Sequence, residues 1–227
     1  AKAGVGALTL SVPNTFSGGF AVRAGSVRVV HNGAFGSGPV TLAGGTVSGS
    51  DASSERVFGN ALVLEESSTL GSATLGAKLT FGGTVTMNAA KTLTVLSEVE
   101  MTGAVTGSGA STKAGSGKLV FSGAVSFGSL TVEQGTVQIG TGGTSGELTG
   151  PVRVDGALVF NRSDAASYAG ALTGAGSVEK LGAGALTLSG VNGAYTGTVK
   201  LVSGGIRMGS GSALGSGTLV IEGGRLS

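Results

Sequence analysis

Residues 2–50 and 180–227 are two versions of one text. KAGVGALTLSVPN, from Lys2 to Asn14, lies over KLGAGALTLSGVN, from Lys180 to Asn192. One inserted residue then shifts the register, and Phe16 falls opposite Tyr195. Beyond it AGSVRV, Ala24 to Val29, lies over SGGIRM, Ser203 to Met208. AFGSGPVTLAGGTVS, Ala34 to Ser48, then lies over ALGSGTLVIEGGRLS, Ala213 to Ser227. A third, more worn copy starts at Lys113 with KAGSGKLVFSG, continues through GSLTVEQGTVQIG (Gly128 to Gly140) and ends on GPVRVDGALVF (Gly150 to Phe160). The copies thus span about 2–50, 113–160 and 180–227, with a divergent section at 51–112. A repeat of roughly 47 residues constrains a chain toward stacked architectures before any other class.

Inside each copy recurs a shorter unit: a few alternating residues, a glycine-bearing turn, and a few more. PVTLAGGTVS, KLTFGGTVTM and TVKLVSGGIRM all obey it. Alternation sends apolar side chains to one side and polar ones to the other. A lone unit reads as a β-hairpin, the structural alternative. The units recur at about 20 residues, however, from Phe20 to Pro39 and from Val199 to Thr218, which suits one coil of a β-solenoid. Stacked coils pair each strand with its counterpart about 4.8 Å away, so roughly ten coils make a rod on the order of 50 Å long. Burial favours the stack, because one coil cannot enclose its Val and Leu alone. The expectation is a single β-helical segment over 1–227, with Leu8, Leu10, Val27, Val29, Leu186, Leu188, Ile206 and Met208 pointing inward and Thr9 and Thr187 outward.

Composition narrows the class. The chain has 46 Gly in 227 residues, roughly three times the usual share, with 40% hydrophobic and 11% charged residues. Disorder needs low hydrophobicity with high net charge, and collagen needs abundant proline; here the net charge is +2 and there are three Pro. Eight Phe, two Tyr and no Trp suggest a column too narrow to need large rings. The 14 Lys and Arg are scattered rather than striped, which argues against nucleic acid as a partner. Cysteine is absent, so thiolate catalysis, cysteine-based zinc sites and disulfides are excluded. No apolar run reaches the roughly 18 residues of a membrane span.

Motifs for chemistry are sparse, and the reading assigns no catalytic, cofactor or metal residues. His31, the single histidine, stands in VRVVHNGAFG opposite Ser210 of the last copy, as a turn residue would. Ser177-Val-Glu-Lys180 fits Ser-x-x-Lys, but it lies within the repeat, and Lys113 repeats the lysine. Three Asp (Asp51, Asp155 and Asp164) are few for a polysaccharide-cleaving β-helix, the third functional reading. Glu98 and Glu100 share a face that Glu65 could join as a weak cation site; a solvated face is the simpler expectation. GSGKLVF, Gly115 to Phe121, lacks the Ser or Thr that a phosphate loop carries after Lys. Asn161-Arg-Ser163 fits a glycosylation acceptor by composition alone. Gly49 to Gly59 is the one stretch long enough for a loop insert.

The segment from Gly174 to Gly217 resembles the autotransporter-associated β-strand repeat, also called the passenger-associated transport repeat. The resemblance rests on Gly174, Gly176, Lys180, Gly182, Gly184, Leu186, Leu188, Asn192, Tyr195 and Gly197. The first copy departs from it with Val12 and Pro13, and the section from Asp51 to Ser111 matches only loosely. The resemblance implies a right-handed parallel β-helix in the passenger of a type V secreted protein. Such a passenger crosses the periplasm and outer membrane of a Gram-negative bacterium through a C-terminal β-barrel outside this sequence, and stands on the cell surface. The expected role is a structural stalk or adhesin shaft, with host-surface or neighbouring-cell ligands as partners. A self-assembling surface filament or layer subunit is the alternative reading. Open coils at both ends would then favour head-to-tail self-association, with membrane contact only through the barrel.

Overall fold

The computed structural model describes residues 1–227 except Ala52. Its pairing is parallel throughout: Leu8 lies opposite Val27, Val40 opposite Leu62, Val99 opposite Leu119 and Leu186 opposite Ile206. Hairpins would pair neighbouring strands antiparallel, so the units are coils of a β-solenoid of about eleven turns. Paired residues stand between 18 positions apart (Lys118 and Thr136) and 25 apart (Ser68 and Leu93).

Each full turn lays strands on three faces. The first face stacks Phe20–Val22, Val40–Ala43, Leu62–Glu66 and Val85–Thr86, and continues to Glu147–Thr149. It resumes with Ala166–Tyr168, Ala185–Leu188, Gly205–Met208 and Arg225–Leu226. The second runs from Ala7–Leu10 through Ser26–Val29, Thr46–Gly49, Ser68–Leu70 and Thr92–Val95 to Val152–Val154 and Leu172–Thr173. The third stacks nine strands from Arg56–Phe58 to Thr218–Ile221. Two long strands, Val105–Ala114 and Ala124–Val132, bend across the first two faces, with a register shift between Gly107 and Ala110. Among the described residues the strands of the divergent section lie on these same faces.

Alternation aims one apolar row per face at the axis. Val22, Val29, Val40, Leu42, Leu188 and Leu201 are fully buried in one continuous core. Leu8 and Leu10 also point inward but are only partly covered, packed against the core with Val27 and Val29 opposite them. Met208 departs from expectation. It is 49% exposed, because the strand stacked over it, Arg225–Leu226, pairs only with Gly205 and Ile206. Thr9 is exposed as expected, whereas Thr187 is half-buried between Ser167 and Arg207.

The aromatic rings are gathered where the composition suggested they were dispensable. Phe16, Phe20, Phe35, Phe58 and Phe81 form one ladder, with successive centroids 5.9, 5.6, 5.0 and 5.3 Å apart. Neighbouring coils supply most of its rings, so rings fill the column by stacking along it rather than by spanning it. At the corners coils approach so closely that side chains have no room. A Cβ on Gly184 would sit 1.7 Å from the Asp164 carbonyl oxygen, which only glycine avoids.

One rung is missing. On the first face Glu147–Thr149 and Ala166–Tyr168 are neighbours without ladder hydrogen bonds. A cleft of about 180 Å³ opens there over Ile139, Leu148 and Phe160. The Arg162 guanidinium bridges it, pairing with Asp164 at 2.7 Å and donating to the Gly146 carbonyl. In the stretch Gly49–Gly59, where Ala52 lies outside the described residues, the described residues form a tied corner rather than a long loop. The Asp51 carboxylate accepts from the Ser54 N–H at 2.7 Å and from Arg56 at 2.6 Å, and these bonds hold its pKa down at about 2.

Candidate functional site

The residues weighed for chemistry do not converge. His31 is exposed in a turn, where its Nδ1 accepts the Gly33 N–H at 3.0 Å. Ser177 and Lys180 are three apart on one strand, so they project to opposite sides, Ser177 half-exposed and Lys180 buried. Asp155 pairs with Arg153 at 2.6 Å in a turn. Glu100 and Glu98 are drawn to different cations. Lys78 holds Glu100 at 2.7 Å and Glu55 at 3.2 Å, while Lys118 lies 3.7 Å from Glu98. Glu65 is exposed on another face, and among the described residues no cluster of three acids, His or Cys could hold a metal ion. Asn161 ends a strand, and its carbonyl accepts the Gly142 N–H.

What recurs instead is a lysine held in backbone. Lys2, Lys113 and Lys180 are all buried, with exposures of 9%, 1% and 2%. None has a carboxylate. The Lys113 ammonium donates to the carbonyls of Gly115 and Gly117, both at 2.5 Å, and of Gln134 at 2.7 Å. Lys2 donates to Ala3, Gly4 and Ala24, and Lys180 to Leu181, Gly182 and Ser203. In every copy two carbonyls come from the lysine's own corner and one from the next coil. An ammonium has three N–H donors, and each cage offers three carbonyls, the third of the Lys180 cage at a long 3.5 Å.

The cage needs its glycines. The carbonyl from the next coil belongs to Ala24, Gln134 or Ser203, each followed by a glycine at positive φ: Gly25 (70°), Gly135 (64°) and Gly204 (75°). That left-handed turn is adopted cheaply only by glycine. A Cβ on Gly135 would also lie 2.5 Å from the Lys113 nitrogen. The chemistry is mechanical: a buried cation staples two coils through corner carbonyls, of which Gly117 also accepts the Thr136 N–H and Gly182 the Ser203 hydroxyl. Burial pushes the Lys113 pKa down to about 8, and that of Lys180 in the same direction.

A second staple sits at the following corner. Asn192, with no exposed surface, donates to the Ala213 carbonyl at 2.7 Å and accepts the Leu172 N–H at 2.8 Å. Asn14 makes the equivalent bond to Ala34 at 2.8 Å. The Tyr195 hydroxyl lies between the carbonyls of Gly176 and Thr198, 2.8 and 2.9 Å away, and its one O–H is shared between them. The sequence reading marked Lys, Asn and the aromatic as repeat positions but missed their bonding. The available signal was a lysine before Gly-x-Gly, with a further glycine 22 to 24 residues on: Lys2 and Gly25, Lys113 and Gly135, Lys180 and Gly204.

A family model described as the passenger-associated-transport-repeat matches residues 1–29, 112–139 and 178–206. Each matched segment holds one caged lysine and both corners of its cage. Comparisons with curated proteins and with solved structures give no match.

Proposed function

Because the chain carries three copies of the passenger-associated transport repeat, we propose that it is a structural segment of a secreted autotransporter passenger, serving as stalk or adhesin shaft. The carrying observation is that each copy contributes a staple between coils and no reactive constellation. Buried lysine, buried asparagine and positive-φ glycine all serve to keep one coil on the next. Such a rod sets distance, and it presents an outer surface several nanometres long. Export through a barrel demands a chain free of cross-links, and the lack of cysteine agrees with that route.

In this reading the segment is non-catalytic and stands on the surface of a Gram-negative cell, with host-surface or neighbouring-cell ligands as partners. The test is display. The segment is fused between a signal peptide and an autotransporter β-barrel, and protease accessibility on intact cells is followed. Surface exposure together with gain of adhesion or cell–cell aggregation supports the reading. Retention in the periplasm, or display that leaves adhesion and aggregation unchanged, contradicts the stalk or the adhesive role respectively.

A further inference from the structure

The fourteen cationic side chains divide into three groups. Seven pair with carboxylates: Arg56, Lys78, Lys91, Lys118, Arg153, Arg162 and Lys200. Three are the caged lysines. Among the described residues this leaves Arg23, Arg28, Arg207 and Arg225 without an ion-pair partner, and the last two share one trough. Arg207 projects outward from Gly205–Met208 and Arg225 from the strand stacked on it, Arg225–Leu226, both on the first face. The trough, about 570 Å³, is lined by Ala185, Gly204, Gly205 and Ser227 beside the two arginines.

Its shape and chemistry select a ligand class. Apart from Ser227 only glycine and alanine line the trough beside the arginines, and both arginines are exposed. Two like charges on adjoining strands repel each other, and an anion lying between them would relieve that repulsion. A guanidinium binds a carboxylate or sulfate through two parallel N–H···O bonds, which a lysine cannot reproduce. Ser167, Thr187 and Arg207 occupy one register row along the rod, whereas the separate trough of about 420 Å³ beside Thr149, Gly150 and Ser167 carries the Glu147 carboxylate and lies outside the site. Hydroxyls in line with arginines suit a linear polymer that carries both hydroxyl and anionic groups. The absence of large apolar side chains from the trough disfavours a lipid surface.

We propose that the Arg207–Arg225 trough binds an acidic polysaccharide, with its carboxylate or sulfate groups on the two arginines and its sugar hydroxyls on Ser167 and Thr187. This rests on the surface-exposed reading above. The test uses the purified chain and four probes: a heparin oligosaccharide, polygalacturonate, neutral dextran, and phosphatidylglycerol vesicles. Calorimetry should show binding to at least one of the acidic polymers, weakened by salt, and none to dextran. Arg207→Ala with Arg225→Ala should weaken it at least tenfold, whereas Arg23→Ala with Arg28→Ala should leave it within twofold. Circular dichroism of each variant checks that the exposed substitutions leave the fold intact. Failure to bind either acidic polymer, equal loss in both double variants, or binding to vesicles alone would overturn the proposal. Surface display is measured separately, so the stalk reading can survive that failure.

Discussion

Leu8 and Leu186 hold the same place in the repeat and lie on different faces of the rod. Leu8 sits on the second face opposite Val27, and Leu186 sits on the first face opposite Ile206. Their counterpart in the middle copy, Leu119, lies on the third face opposite Val137. The caged lysines move likewise. Lys2 bridges to Val22 on the first face, Lys113 lies on the second and Lys180 on the third. Successive copies are therefore turned by one face, and no copy lies directly over another. The three faces must be nearly interchangeable, so a staple can be set at any edge of the prism.

Removing a staple should loosen two coils. Lys180→Met keeps most of the buried stem but takes the ammonium from the Leu181 and Ser203 carbonyls and leaves Gly182 only the Ser203 hydroxyl, and it should cost about 1–3 kcal/mol. Urea denaturation checks the total, and hydrogen exchange should show the loss around Gly182 and Ser203. Unchanged protection at both corners would mean that the ammonium contributes nothing.

The same lysines set an alkaline signature. The Lys113 pKa is about 8 in the folded chain against an ordinary 10.5, so between those values the unfolded chain binds the proton that the folded one has released. Stability should therefore rise with pH across that window. Above pH 10 the sign reverses. Burial raises the Tyr168 and Tyr195 hydroxyls, Tyr195 to about 12, so the unfolded chain loses those protons first. Denaturation midpoints at pH 7.5, 9.5 and 11 should peak at the middle value, and Lys113→Met should flatten the rise.

Glycines that look alike in sequence should differ sharply in tolerance. Gly204→Ala forces a side chain onto positive φ, with its Cβ 2.4 Å from the Gly184 oxygen, and should cost at least about 1–3 kcal/mol. Gly193→Ala meets nothing within 4 Å and should be nearly neutral. Melting temperatures of the two variants decide the point.

Inward and outward positions of one repeat strand give the last contrast. Leu188→Asp buries an unpaired carboxylate at a site with no exposure and should unfold at least the neighbouring coils, a loss above about 4 kcal/mol. Thr9→Asp, at the exposed position, should stay within about 0.5 kcal/mol. Limited proteolysis that cuts both variants alike would contradict the assigned alternation.

Much of this molecule is legible in its sequence, because a solenoid makes local rules sufficient. Two-residue alternation decided which side of Leu186-Thr187-Leu188 is buried. Glycine spacing decided where the corners fall, and a period near 20 decided that strands pair between coils. The outcome of Met208 was not legible, since its exposure depends on what lies over it rather than on its own strand. Nor was the aromatic ladder, because Phe35, Phe58 and Phe81 meet only once coils of unequal length have closed. Tertiary structure alone decided which face each copy occupies: the coil lengths between Lys2, Lys113 and Lys180 accumulate to a whole number of turns plus one face. It also turned three repeated lysines into staples. A lysine's partners here are backbone carbonyls, one of them a full turn away, and carbonyls have no letter in a sequence.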